Sequence, residues 1–404
     1  MTPSLPRYIF QHHASPVVYC GFVVCAGTSN EEPDDLGMAH FLEHMSFKGT
    51  RRRRAYHINS FLERVGGDLN AFTNKVETVF HATVLRRDFA RAVDLLADVV
   101  FNSQYPEHEI QREVEVICDE IDSYEDSPSE LIFDHFEQIL FKGHPLGRDI
   151  LGTKERLRQY HTADAHRFAS RYYRPDNVVF FAYGDLDEAT VCRTLARYMP
   201  QDLPTLPQFT LPTFAPLPPH TGGDTIIVNK NTHQAHVIVG TRAVGGHDER
   251  RYALSLLNNI LGGPGMNSRL TSRLREKAGL VYTIDSYLYV YPDTGVWEIY
   301  FGCDPGDVER CLRLVHDELR RIIEKPLTPT QLASAKAQLI GQMGIAADNN
   351  ESYALTLGKT FAHYGKRYDP EAQAEHIRAL TAEELQNAAA EFLRDESLTT
   401  LVFK

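Results

Sequence analysis

Prolines at positions 200, 204, 207, 212, 216, 218 and 219 constrain this chain more than any other feature. A proline has no amide hydrogen and a fixed φ, so this stretch can form neither a helix nor an inner strand. It reads as an extended linker, 200–221, that divides 404 residues into a first domain, 1–199, and a second, 222–404. Each half has the size of an ordinary domain, roughly 100–200 residues.

The halves repeat one plan. The first opens on an apolar strand-like run, Val17 to Cys25, and a loop with Gly27, Asn30 and Pro33. A helix follows over Leu36 to Phe47, with Asp34 or Asp35 as its cap and Gly49 at its end. Thr78 to Leu85 alternates β-branched and aromatic residues as a strand does. Helices are expected at Asp88 to Phe101, Glu107 to Tyr124, Glu130 to Phe141 and Glu188 to Tyr198, with a strand at Asn177 to Tyr183. The second half opens on Thr225 to Val228 and Ala235 to Val239. A helix at Arg251 to Leu261, strands at Val281 to Val290 and Val296 to Cys303, and helices at Val308 to Glu324 and Pro329 to Met343 follow. Runs of strands followed by runs of helices indicate an α+β class. The expected architecture is two similar halves, each a mainly antiparallel sheet packed by helices on one side.

Charge and composition exclude several functions. The formal charge of −12 argues against nucleic acid as a partner, because phosphate binding needs a basic face. The one basic run, Arg51 to Arg54, reads as a solvated loop. Nothing approaches the ~20 apolar residues of a membrane span. Met1 to Phe10 lacks the pattern of a secretory signal, and the six cysteines form no CxxC pair, so a cytoplasmic protein with reduced thiols is expected.

The chemistry concentrates in His40-Phe41-Leu42-Glu43-His44. On a helix, residues i and i+4 share a face, so His40 and His44 can hold one Zn²⁺. Glu43, three residues after His40, projects from the same side and can accept a proton from an attacking water without ligating. This is the HxxEH order of the inverted zincins. A catalytic zinc wants a third protein ligand. The acidic helix around Glu113 and Glu120 can supply one: the two glutamates are seven apart and share a face, so one can ligate while the other supports from behind. No GxSxG string or activated cysteine competes, and Gly262-Gly263-Pro264-Gly265 lacks the lysine of a phosphate loop.

The run HFLEHMSFKGT, His40 to Thr50, resembles the pitrilysin-type metallopeptidases, including the β subunit of the mitochondrial processing peptidase and its bacterial relatives. The resemblance implies that Glu120 is the third ligand (120 − 44 = 76 residues after the second histidine) and Glu113 the auxiliary glutamate. Gly66 to Thr73 resembles the family's GG-x-x-NA-x-T segment, which implies an edge strand pairing with the substrate backbone at Asn70 and Ala71. Met266 to Tyr282 resembles the SRL…LREK-x-GL-x-Y block, which implies that Arg275 and Tyr282 belong to the active site. The resemblance covers essentially the whole chain. It implies a zinc endopeptidase acting on peptides or unfolded segments inside a closed chamber, this chain being half of a clamshell. A homodimer would be self-sufficient; a heterodimer with a paralogue is the alternative within peptidases. A non-catalytic structural homologue is the alternative outside them.

Overall fold

The computed structural model describes residues 5–199, 216–219 and 222–404. Most of the expected linker, 200–221, lies outside the described residues. Two compact units result. The first takes residues up to Asp122, those from Arg148 onward in the first half, and Ala346–Tyr368. The second takes Ser123–Gly147, the described residues from Pro216 to Ile345, and Asp369–Lys404. Set beside halves 1–199 and 222–404, each unit therefore includes one segment from the other half of the sequence.

In the first unit, β1 (Arg7–His12), β2 (Val17–Val24), β3 (Asp68–Thr73), β4 (Thr78–Leu85) and β5 (Val178–Gly184) form a sheet in the order β1-β5-β2-β4-β3. The β1–β5 pair is parallel and the others antiparallel. Alternate residues of β2, Val18, Cys20, Phe22 and Val24, join Phe80, Ala82, Phe180 and Ala182 in the main core, under Leu96 and Val99 of the helix Phe89–Asn102. Val23 and Cys25 point the other way. They meet Val79, Val179 and Phe181, and Ala354, Leu357 and Ala362 of the helix Asn350–Tyr364. A strand apolar on both faces needs cover on both. The expected helical layer lies on the first face, and one helix from far along the sequence is added on the second. Phe181 fits there because two glycines make room: a Cβ at Gly21 would lie 2.7 Å from its ring and one at Gly358 2.5 Å. Burying such a ring contributes roughly 1.5–3 kcal/mol.

The second unit repeats the plan. Its strands β6 (Thr225–Val228), β7 (Ala235–Val244), β8 (Val281–Val290), β9 (Thr294–Cys303) and β10 (Thr399–Phe403) run β6-β10-β7-β9-β8, and β6–β10 is parallel. Position by position this is the order and direction of the first sheet, as a duplication requires. Trp297, Ile299 and Phe301 pack with Leu254 and Leu257 of Arg250–Gly262 and Val315 and Leu319 of Val308–Glu324. On the other face Tyr300 packs against Phe133 of the helix Pro128–Leu140, ring centroids 5.2 Å apart.

The arginine run is the exposed loop expected of it at Arg51, Arg52 and Arg54, but two of its residues are also anchored. Arg52 and Arg53 both pair with Asp94 and Asp98 on the helix Phe89–Asn102. Asp98 is fully buried, and a buried carboxylate needs paired, hydrogen-bonded cations.

Candidate metal centre

The helix carrying the HxxEH string spans Met38–Ser46. Met38, Ala39, Phe41, Leu42 and Met45 are fully buried in the core, which fixes the helix's rotation and leaves His40, Glu43 and His44 on the remaining face. Its start differs from expectation. Asp34 and Asp35 sit in a short 3₁₀ turn, and Asp35 pairs with Arg167 instead. The cap is Glu31, whose carboxylate accepts from the amides of Gly37 (3.0 Å) and Ala39 (2.9 Å). Gly37 is required here: its φ is +80°, and a Cβ would lie 2.7 Å from the Leu151 carbonyl oxygen.

Glu113 and Glu120 both come from the helix Glu107–Glu125, and their carboxylates meet different partners. Glu120 Oε2 stands 3.8 Å from His40 Nε2 and 3.7 Å from His44 Nε2. The three donor atoms lie within 4.8 Å of one another. Glu113 is behind: its Oε1 is 2.8 Å from His44 Nδ1 and its Oε2 2.5 Å from Lys48 Nζ. Glu43 is nearly buried, and the Thr73 hydroxyl donates to its Oε2 at 2.6 Å.

These residues fit a zinc ion. Two imidazoles and a carboxylate are a zinc donor set, and ligand atoms about 2.1 Å from an ion at tetrahedral angles stand about 3.4 Å apart. The two separations to Glu120 Oε2 are within a few tenths of an ångström of that. Burial, then the neighbouring His44, pushes His40 down to about 3, so its ring is neutral with a free lone pair. Among the described residues His40 Nδ1 is buried without a hydrogen-bond partner. His44 differs. Burial opposes its protonation, but the hydrogen bond and charge of Glu113, with Glu43 and Glu120, outweigh it and raise the ring above its ordinary value. Burial also raises the Glu43 carboxyl, against the opposing hydrogen bond from Thr73.

Among the described residues β3 is the edge of the first sheet, with β4 as its one partner. Asn70 is exposed and Ala71 half-buried, and Asn70 Oδ1 accepts from the Ala71 amide at 3.0 Å. The strand runs toward the metal centre, ending at Thr73.

Arg275 and Tyr282 belong to the second unit, and the backbone is irregular at both. Thr271–Lys277 winds as a π-helix, a conformation frequent at functional sites. Gly279 follows at φ +62°, and the β8–β9 register shifts between Val281 and Ile284. A bulge of that kind re-aims a side chain. Tyr282 is 81% exposed on it. Neither irregularity has a local sequence signal, and nor have the contacts of Lys48 and Thr73; their partners are 65 (113 − 48) and 30 (73 − 43) residues away.

A duplicated α+β chain with HxxEH on an inner helix and a glutamate closing the triad has the architecture of a metallopeptidase half. Residues 7–154 match the model of the insulinase family, peptidase family M16, and residues 161–339 that of the peptidase M16 inactive domain. The chain is 33% identical over 383 residues to a Streptomyces coelicolor protein named as an uncharacterized zinc protease, covering 93% of this chain and 82% of that one. A Bacillus subtilis protein of the same description, YmxG, is 31% identical over 388 residues, covering 95% and 92%. Among solved structures, a protease from Helicobacter pylori superposes with a TM-score of 0.91 at 22% identity, covering 99% of this chain and 98% of that one. A peptidase M16 inactive domain from Pseudomonas fluorescens gives 0.87 at 21%, covering 99% and 95%. The chain belongs to peptidase family M16. The region matched to the inactive-domain model excludes the HxxEH string, which falls wholly in the first match. Among the described residues no helix is long and apolar enough to cross a membrane.

Proposed function

We propose that this chain is a zinc endopeptidase hydrolysing peptides or unfolded segments, with the ion held by His40, His44 and Glu120. The observation that carries the reading is the convergence of both Nε2 atoms on Glu120 Oε2, with the Glu43 carboxylate one residue away on the same helix face. Zinc, when bound, supplies Lewis-acid polarisation of the scissile carbonyl and makes a water a nucleophile near neutral pH. Glu43 takes the proton of the attacking water and returns it to the leaving amine. Glu113, itself held by Lys48, keeps the His44 ring turned so that Nε2 faces the site. The open edge of β3 at Asn70 and Ala71 receives the substrate as an added strand, which tolerates varied side chains. Arg275 and Tyr282 hold the oxyanion, supplied to the metal centre of a partner subunit. A homodimer then contains every group; a heterodimer with a paralogue satisfies the same requirement.

The second reading is a non-catalytic homologue. The inactive-domain match over residues 161–339 favours it; the intact set of His40, Glu43, His44 and Glu120 speaks against it. Metal analysis and a peptide-library digest read by mass spectrometry separate the two. The proposed enzyme carries about one zinc per chain and cleaves peptides until a chelator is added. Its Glu43→Gln variant keeps the zinc and loses nearly all turnover, whereas His44→Ala loses both. Zinc-replete protein that cleaves nothing, alone or mixed with a paralogue, refutes the peptidase reading.

A further inference from the structure

We propose that Thr73 is a positioning residue for Glu43, holding the carboxylate in the one orientation that leaves its other oxygen for the proton of the attacking water. The proposal rests on the reading of Glu43 as general base.

The proton count fixes the direction of the bond. Thr78 is fully buried, and its hydroxyl donates to the Ala26 carbonyl at 3.0 Å, so its single proton is committed. Thr73 Oγ1 lies 3.3 Å from Thr78 Oγ1 but 2.6 Å from Glu43 Oε2. Thr73's own proton therefore goes to Glu43. The terminal torsion of a glutamate is broad, so packing of the stem alone does not orient the carboxylate plane. A donor on Oε2 does, and Oε1 is then the free oxygen.

Thr73 is itself held by a stiff turn. Thr73 and Thr78 close the β3–β4 ladder, and the turn between them is tied on several sides. Asn74 Oδ1 accepts from the amides of Val76 (2.9 Å) and Glu77 (3.0 Å). The amides of Thr28 and Ser29 donate to the carbonyls of Asn74 (3.2 Å) and Lys75 (2.8 Å). Gly27 lets these loops touch: a Cβ there would stand 2.2 Å from the Asn74 carbonyl oxygen. Glu77 reaches back to Asn74 Nδ2 (2.9 Å) and pairs with buried His363 on the helix Asn350–Tyr364. The open, exposed part of β3 around Asn70 thus runs into a tightly tied turn at Thr73. A hydroxyl at that place is poised before any substrate arrives, which is what orientation catalysis needs.

The test compares Thr73→Ser, which keeps the hydroxyl, with Thr73→Val, which keeps the shape and removes it. Turnover, KM, zinc stoichiometry and thermal midpoint are measured for each, alone and in a Glu43→Gln background. Thr73→Val should lower kcat by about tenfold to a hundredfold, the range found when support of a catalytic group is lost. KM, bound zinc and the thermal midpoint should change little, and Thr73→Ser should recover most of kcat. In Glu43→Gln protein, Thr73→Val should change the residual rate less than twofold, because its effect passes through a carboxylate no longer there. A crystal structure of zinc-free Thr73→Val should have the Glu43 carboxylate rotated. If Glu43→Gln is inactive while Thr73→Val turns over like the parent, the positioning role is wrong and the base assignment stands. A fully active Glu43→Gln removes the base assignment itself. An equal loss from Thr73→Val with and without Glu43 reduces Thr73 to a structural residue and overturns the proposal.

Discussion

Replacing Glu113 by glutamine probes whether the acidic helix divides its labour as its geometry implies. Glu113 makes two charge-assisted contacts, 2.8 Å to His44 Nδ1 and 2.5 Å to Lys48 Nζ, with its own side chain 7% exposed. A hydrogen bond to a charged group is worth about 1.5–3 kcal/mol. Glutamine keeps an acceptor for His44 but removes the charge that strengthens both contacts. Lys48 is 29% exposed and regains water, so its loss is the smaller part. The net cost to zinc binding is therefore about 1.5–3 kcal/mol, or roughly tenfold to a hundredfold in affinity at about 1.4 kcal/mol per decade. Competition with a chromogenic chelator reads this directly. Glu113→Gln should still bind one zinc per chain within that weakened range, and Glu120→Ala should not bind stoichiometrically. Parent-like affinity in Glu113→Gln, or retained tight binding in Glu120→Ala, would refute the division of roles.

Two further predictions test other parts of the molecule. Mixing inactive Glu43→Gln protein with inactive Arg275→Ala protein should restore part of the peptidase activity after subunit exchange, because one mixed site then carries every group; verified exchange without recovery would exclude sharing between subunits. The Glu77 carboxyl is buried; its burial works against ionisation, but His363, then Lys359 and Asn74, hold it below its ordinary 4.5. The unfolded chain takes up that proton first as pH falls, so the stabilisation that comes from ionising this carboxyl is present above about pH 4.5 and is lost below it. The gap in thermal midpoint between parent and Glu77→Gln should narrow as pH falls below about 4.5, and a gap unchanged from about pH 5 down to about pH 3 would count against the pair.

The grouping of His40, Glu43 and His44 was legible in the sequence because helix geometry turns spacing into proximity: the three share a face in any helix. Residue spacing alone could not say which of Glu113 and Glu120 would ligate, since both lie on one face of their helix; the resemblance favoured Glu120. The helical cap was misplaced for a similar reason. Asp34 and Asp35 stand at the usual distance before the helix, but with Gly37 at positive φ the amides of Gly37 and Ala39 donate to Glu31. Patterning located strands and long helices to within a few residues, as at Val308–Glu324. It did not anticipate the helix Asn350–Tyr364 on the back of the first sheet. The clue was present: Val17 to Cys25 is apolar at every second residue in both registers, and a strand of that kind has to be covered twice. What covers it is set by contacts such as Arg7 to the Phe361 carbonyl, 354 residues apart, which no local pattern encodes.

That covering helix also sets a timetable for synthesis. β1 and β5 are complete once residue 184 has been made, yet the face they share with Asn350–Tyr364 stays open until residue 364 leaves the ribosome. Ile9, Val179 and Phe181 are exposed to solvent, or to a chaperone, for the time it takes to translate the whole intervening stretch. The unit that begins first is thus among the last parts of the chain to close, and Glu77, waiting for His363, is joined to its partner in the same late step.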